Sequence, residues 1–306
     1  MSESLSAVVV AAGRSQRMGF DKMLTSFGGR PLLVHTLERL FLTEIPAEIV
    51  LVVRPGSEAE LEPILAPLRE KGTIRLVPGG AQRQDSVQAG LRAVAETSEF
   101  VLVHDAARPF ITRELVEAVL AAAKITGAAV CGAPCSDSLK EVGEDGLVVR
   151  TVDRSKLWAV QTPQIFRTAL LREAYERAVQ SGALFTDDTA VVEQAGHPVR
   201  IVLHHGVNLK VTTPTDWKLA ETFLQFGEPG SPEGQELRRL LHDVNNYLTP
   251  LLGYSYLLVT EFPEEGRPKK FATNIQSAAE KCQHAIAAIH KLIRELFPRK
   301  NDGKPS

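Results

Sequence analysis
The chain has 306 residues, 44% of them hydrophobic and 24% charged, with a formal net charge of -2 at pH 7. Such a composition suits a soluble globular protein of one large domain, or of a large and a small one. The near-neutral balance gives no global pull toward nucleic acid or a membrane surface, so any anion site must be local.

The start, Met1-Ser2-Glu3-Ser4, lacks the basic and apolar regions of a signal peptide, and no apolar run approaches ~20 residues. A cytoplasmic protein is expected. Ala7-Val8-Val9-Val10-Ala11-Ala12 then reads as a buried strand emptying into Gly13-Arg14-Ser15-Gln16-Arg17-Met18-Gly19 and ending on Lys22. Glycines let the backbone approach a ligand closely, and Arg17 and Lys22 add full positive charges, so this loop can cradle a polyphosphate. The spacing is neither the dinucleotide fingerprint nor a P-loop, and an ordinary strand-to-helix turn with two solvated cations fits it as well.

Up to about residue 225, short β-branched runs alternate with helical patterns. Strands are expected at 7–12, 48–53, 74–77, 100–104, 128–133 and 199–203, with helices at 32–42, 57–71, 83–95, 112–125 and 168–181. The alternation predicts an α/β, Rossmann-like, mostly parallel sheet covered on both faces, with ligands beyond the C-terminal strand ends. Gly79-Gly80 opens the third helix, and Ser86 sits one turn into it. Asp105, in His104-Asp105-Ala106-Ala107-Arg108-Pro109, falls at the ligand edge, where a carboxylate suits Mg2+ or a ribose hydroxyl, or else caps a helix.

After Cys135, two alternating runs around Glu144-Asp145-Gly146 predict a β-hairpin arm at about 136–158, stable chiefly when packed on something such as a second subunit. Lys210 ends a later strand-like run, where it reads equally as a snorkelling surface lysine. Cys131, Cys135 and Cys282 form no metal or disulfide framework and read as buried thiols in a reducing compartment. Residues 1–226 form the main domain, 227–235 a Gly/Pro-rich linker, 236–298 a helical hairpin and 299–306 a tail. The hairpin's a/d-type stripes include Leu237, Leu241, Val244 and Leu248, then Ile275, Ala279 and Cys282, and a four-helix bundle from two chains would complete them.

The ordered motifs resemble the 2-C-methyl-D-erythritol 4-phosphate cytidylyltransferases over about residues 5–226. They are Ala11-Ala12-Gly13 with Arg17 and Lys22, Gly79-Gly80 with Arg83 and Ser86, His104 to Pro109, Thr151-Val152-Asp153-Arg154, Gln161-Thr162-Pro163-Gln164, Thr186-Asp187-Asp188, and Asn208-Leu209-Lys210. The resemblance implies a homodimeric enzyme that uses CTP, Mg2+ and a small alditol phosphate and needs no protein nucleophile. Arg17, Lys22 and Lys210 would be catalytic, gripping the triphosphate. Ala12, Gly13, Gly80 and Ser86 would enclose the cytidine. Asp105, Arg108 and Thr162 would face the alditol, with Ser138 and Arg154 holding its phosphate from the neighbouring subunit. A ribitol 5-phosphate cytidylyltransferase shares much of this pattern. Lys22, which commonly follows proline in the family, here follows Asp21, and Ser138 stands where threonine is common.

The hairpin's His242-Asp243-Val244-Asn245-Asn246-Tyr247 is similar to the phosphoacceptor box of histidine-kinase dimerisation hairpins, which makes His242 a candidate phosphoacceptor. Too few residues follow it here for an ATP-binding domain. A retained dimerisation module is the expected role, with a phosphorelay or interaction module as the alternative.

Overall fold
The computed structural model describes residues 4–13, 15, 17–204, 206–225 and 275. The expected linker, the hairpin with His242 and Cys282, and the tail lie outside the described residues, Ile275 apart. The chain divides into two compact units, Met1–Glu221 and Thr222–Ser306, and the first is described below.

In chain order the elements are β1 (Leu5–Val10), β2 (Ser26–Phe27), β3 (Arg30–Pro31), α1 (Leu32–Leu42), β4 (Glu48–Val53), α2 (Glu58–Arg69), β5 (Ile74–Pro78) and α3 (Arg83–Ala93). There follow β6 (Phe100–Asp105), α4 (Arg113–Thr126), β7 (Ala128–Pro134), β8 (Leu139–Val142), β9 (Val148–Val152) and β10 (Trp158–Arg167). The last are α5 (Thr168–Ser181), α6 (Asp188–Gln194), β11 (Arg200–Leu203) and α7 (Pro214–Gln225). Among the described residues the main sheet has seven strands in the order β11-β7-β10-β6-β1-β4-β5.

Burial on both faces explains the central strands. All six residues of β4 and of β6 are buried, as continuous β-branched and apolar runs must be in a covered parallel sheet. Val8, Val50, Val52, Val101 and Val103 point to one face, where Val87 and Leu91 of α3, Leu171 and Ala174 of α5, and Val191 and Val192 of α6 close over them. On the other face Ala7, Val9, Ile49, Leu51 and Leu102 are equally buried. β1 pairs in parallel with both β4 and β6, so the connections diverge on either side of it. The crevice at the C-terminal ends of β1 and β6 is therefore a topological switch point, where open α/β sheets bind ligands.

Three differences from the sequence-based expectation matter to the site. β1 ends at Val10, so Ala11 and Ala12 already belong to the loop, although the Ala11 amide still donates to Val52 O at 2.8 Å. β10, which the strand expectations lack, enters the sheet between β6 and β7, antiparallel to both. Its pairing with β7 is interrupted between Val160 and Gln164, and Pro163 sits in that irregularity, where the missing N–H breaks no ladder bond. Cys135 is half-buried rather than buried, whereas Cys131 is buried.

A β-hairpin lies within the span of the expected arm. β8 and β9 pair as an antiparallel hairpin outside the main sheet, with Val142, Leu147, Val148 and Val149 exposed along it. Among the described residues no helix is long and apolar enough to cross a membrane.

Close approach of α3 to the sheet depends on Gly90. A Cβ there would lie 2.5 Å from Val8 Cγ1 and 2.8 Å from Val52 Cγ2. Gly90→Val should lower the unfolding free energy by about 2–3 kcal/mol through overpacking, read as a drop in the urea midpoint at unchanged m.

Candidate functional site
The loop after β1 is shaped by local contacts and by a few side chains that pin it. Gly19 adopts φ +75°, a left-handed conformation that costs glycine little. Met18 is buried, and its amide donates to Ser15 O at 2.9 Å. Phe20 meets Trp217 of α7 edge-on, with ring centroids 5.3 Å apart, and Phe27 meets the same indole at 4.9 Å. Open space surrounds the position a Cβ would take on Gly13, so its backbone is accessible to a ligand.

Asp21 turns away from the cations. Its Oδ2 forms an ion pair with Arg54, just past β4, while Oδ1 accepts the Met23 amide at 3.0 Å. The Lys22 Nζ donates to Val211 O at 2.7 Å. Burial lowers the Lys22 pKa, and the nearby charges of Lys210 and Arg17 lower it further. The three expected catalytic cations therefore share one electrostatic neighbourhood. Arg17 is exposed, Lys22 and Lys210 half-buried.

Asp105 is their counterweight. Lys210 Nζ lies 2.7 Å from Oδ2, Arg83 3.5 Å from Oδ1, and Arg108 Nε 3.8 Å from Oδ2. Burial alone would raise its pKa, but Lys210, Arg83 and Arg108 outweigh it and hold the carboxyl well below the usual range. Both oxygens are thus committed to cations. These surroundings do not suit Asp105 as a Mg2+ ligand, because three fixed positive charges within reach repel a divalent ion. Among the described residues no group of three His, Cys, Asp or Glu is placed to hold a metal ion.

Arg83 anchors the arrangement from the α3 side. It pairs at 2.8 Å with Asp188, a fully buried carboxylate that also accepts the Tyr175 hydroxyl at 2.6 Å. Burial disfavours the charge of Arg83, but Asp188 and Asp105 outweigh it and raise its pKa. Asp187 caps α6 by accepting the Ala190 amide at 3.0 Å, which fixes where Asp188 begins the helix. The sequence marks no role for Tyr175 or Asp188, although Thr186-Asp187-Asp188 is one of the family-like motifs.

A buried relay holds the Asp105 turn. The Asp105 amide donates to Thr162 Oγ1 at 3.0 Å, Thr162 Oγ1 meets His104 Nδ1 at 3.1 Å, and His104 Nε2 meets Arg108 O at 3.0 Å. Every group is satisfied if Thr162 donates to Nδ1 and Nε2–H donates to the carbonyl, which assigns the tautomer. Thr162 thus braces the turn from β10. Asn208 does the same from the segment after β11: its carbonyl accepts from Arg108 at 2.7 Å, and its amide nitrogen donates to Thr162 O at 2.9 Å and Gln161 Oε1 at 2.8 Å. Arg108 Nε is buried without a hydrogen-bond partner.

On the other side of the loop, Gly79 is pressed against it. A Cβ there would lie 2.6 Å from Ala12 Cβ and 2.8 Å from Ser86 Oγ, so only glycine fits. Ser86 is buried, and its hydroxyl accepts the Gly80 amide at 3.2 Å and donates to Gln82 O at 3.1 Å. Its hydroxyl is spent on shaping the loop, whereas Ala12, Gly13 and Gly80 remain at least partly exposed. Ser138 and Arg154 are exposed on the arm, and among the described residues neither bonds to the Asp105 cluster.

Three comparisons bear on this site. Residues 5–226 match the family described as 2-C-methyl-D-erythritol 4-phosphate cytidylyltransferase. The enzyme of that name from Symbiobacterium thermophilum is 45% identical over 223 residues, covering 72% of this chain and 93% of its own, and that from Geobacillus kaustophilus is 44% identical, covering 71% and 96%. The crystal structure of the cytidylyltransferase from Thermus thermophilus superimposes with a TM-score of 0.60 at 39% identity, covering 72% of this chain and 98% of that one. A 4-diphosphocytidyl-2C-methyl-D-erythritol synthase from Anaerococcus prevotii gives a TM-score of 0.64 at 32% identity, covering 73% and 99%.

The buried imidazole gives a pH signature. Burial pushes the His104 pKa down to about 4 from its ordinary 6.5. Between those values the unfolded chain binds a proton that the folded chain does not, so stability falls as pH drops across the window, by about 3 kcal/mol in all. His104→Gln should remove that part of the pH slope, measured from urea midpoints between pH 7 and about pH 4.

Proposed function
Since the chain belongs to the 2-C-methyl-D-erythritol 4-phosphate cytidylyltransferase family, we propose that it transfers the cytidylyl group of CTP to 2-C-methyl-D-erythritol 4-phosphate. The products are 4-diphosphocytidyl-2-C-methyl-D-erythritol and pyrophosphate, in the non-mevalonate route to isoprenoid precursors. The carrying observation is the convergence of Lys22, Lys210 and Arg17 beside Asp105 at the switch-point edge.

In the proposed reaction a phosphate oxygen of the alditol attacks the α-phosphorus of CTP in line. The bond to the bridging oxygen breaks, and pyrophosphate leaves with the electron pair. No side chain is a nucleophile, so catalysis is positioning and charge stabilisation. Lys22 and Lys210 face the α-phosphate, and Arg17 the outer phosphates. Arg108, whose Nε has no acceptor, and Asp105 receive the alditol. Ala12, Gly13 and Gly80 line the cytidine, and Ser86 keeps Gly80 in place for it. Mg2+, the usual companion of a triphosphate, has no fitting carboxylate at Asp105; it is proposed as part of the bound nucleotide rather than as a resident of the protein.

A homodimer is proposed through the arm, where exposed Leu147, Val148 and Val149 offer apolar area to a second copy and bring its Ser138 and Arg154 toward the alditol phosphate. The apolar stripes of the 236–298 hairpin support a second dimer contact, and a cytoplasmic location fits the N-terminal sequence.

Pyrophosphate release should require CTP, Mg2+ and the methylerythritol phosphate together, in an assay that also offers the other nucleoside triphosphates and ribitol 5-phosphate. Turnover of ribitol 5-phosphate alone would reassign the substrate. Lys22→Ala and Lys210→Ala should each lower kcat by about two orders of magnitude, as expected for a loss of ~3 kcal/mol of transition-state stabilisation. Removing 227–306 should leave that chemistry intact.

A further inference from the structure
The residue before Lys22 is the least expected one in the loop, and its partner lies in another element. Asp21 spends one carboxylate oxygen on the Met23 amide, at 3.0 Å, and the other on Arg54. Its own carbonyl accepts both the Thr25 amide at 3.0 Å and the Thr25 hydroxyl at 2.7 Å. Asp21 is therefore the centre of the turn that presents Lys22. Arg54 sits at the end of β4, a strand with all six residues buried, and its carbonyl is bonded by Ser57 through the amide at 3.1 Å and the hydroxyl at 2.8 Å. One end of the ion pair is thus rigid, and the other carries the catalytic loop.

Asp21 and Arg54 line a small cleft together with the buried side chains of Ala11, Met23, Leu33, Val53 and Leu61, so the ion pair joins the loop to the end of the strand. Lys22, meanwhile, is held at its tip by Val211 O. A lysine has four rotatable bonds, so its position over a phosphate depends on where its backbone is fixed.

We propose that the Asp21–Arg54 ion pair is a strut that positions Lys22 for transition-state contact with the α-phosphate, making Arg54 a positioning residue for the reaction. The proposal rests on the function given above for Lys22. Because the strut acts on orientation, its loss reduces the contact made in the transition state more than the grip on bound CTP.

The test compares the full-length parent with Arg54→Met, which removes the pair, Arg54→Lys, which keeps a charge within reach of Asp21, and Asp21→Asn, which can still accept the Met23 amide. Two readouts are taken: steady-state kcat and KM for CTP, and the rate at which an amine-acylating reagent modifies Lys22, followed by peptide mass spectrometry with Lys124 as internal reference. Arg54→Met and Asp21→Asn should lower kcat about tenfold with little change in KM, and should speed Lys22 labelling several-fold, while Arg54→Lys stays near the parent. Parent-like kcat and labelling in both pair-breaking variants would overturn the strut. A fall confined to KM, or an equal loss in Arg54→Lys, would do the same. If the parent itself fails to turn over CTP with the alditol phosphate, the functional reading fails, and labelling alone then decides the strut.

Discussion
The buried Asp105 carboxylate is the charge on which the strand-edge site depends. Lys210, Arg83 and Arg108 converge on it from three different parts of the chain, and they could not share so dry a corner without it. Burying an ion costs several kcal/mol unless it is paired and hydrogen-bonded, so the carboxylate and its cations stabilise one another or destabilise together. The wider neighbourhood keeps a cationic surplus, since Lys22 and Arg17 add their charges beside Lys210, Arg83 and Arg108. Such a surplus is unfavourable by itself and is relieved by a polyanion, which supports the proposed placement of the triphosphate.

Support for that charge comes from a set of buried polar pairs around it. The Thr162–His104–Arg108 relay fixes the turn from below, Asn208 ties the turn to β10, and the Tyr175–Asp188 pair holds Arg83 from behind. Each of these is buried, and each has its partner in a different element. Their value lies in holding geometry, because an electrostatic site acts only as well as its charges stay put.

Much of the scaffold was legible in the sequence because the central strands are continuous apolar runs. The expected spans 48–53, 32–42 and 168–181 coincide with β4, α1 and α5. β10 was hidden because Pro163 and the flanking glutamines break the β-branched pattern, and only the sheet irregularity around Pro163 reconciles them with a central strand. The cations were legible as residue types at strand ends. Their partners were not: Asp21 with Arg54, Arg83 with Asp188 and Thr162 with His104 are pairings between distant positions, and nothing in one sequence marks which polar groups will meet. For the same reason the sequence left Asp105 open between Mg2+, a ribose hydroxyl and a helix cap, since nothing in it marks the three cations that meet the carboxylate.

Phe20 and Trp217 carry one more consequence. The chain has only two tryptophans, Trp158 in β10 and Trp217, and the second is buried with the rings of Phe20 and Phe27 against it. Phe20 belongs to the same short stretch as Arg17 and Lys22, so any shift of that stretch around a nucleotide changes the packing and polarity at the indole. The protein thus contains an intrinsic optical gauge of the loop after β1, one whose emission can be followed without a label.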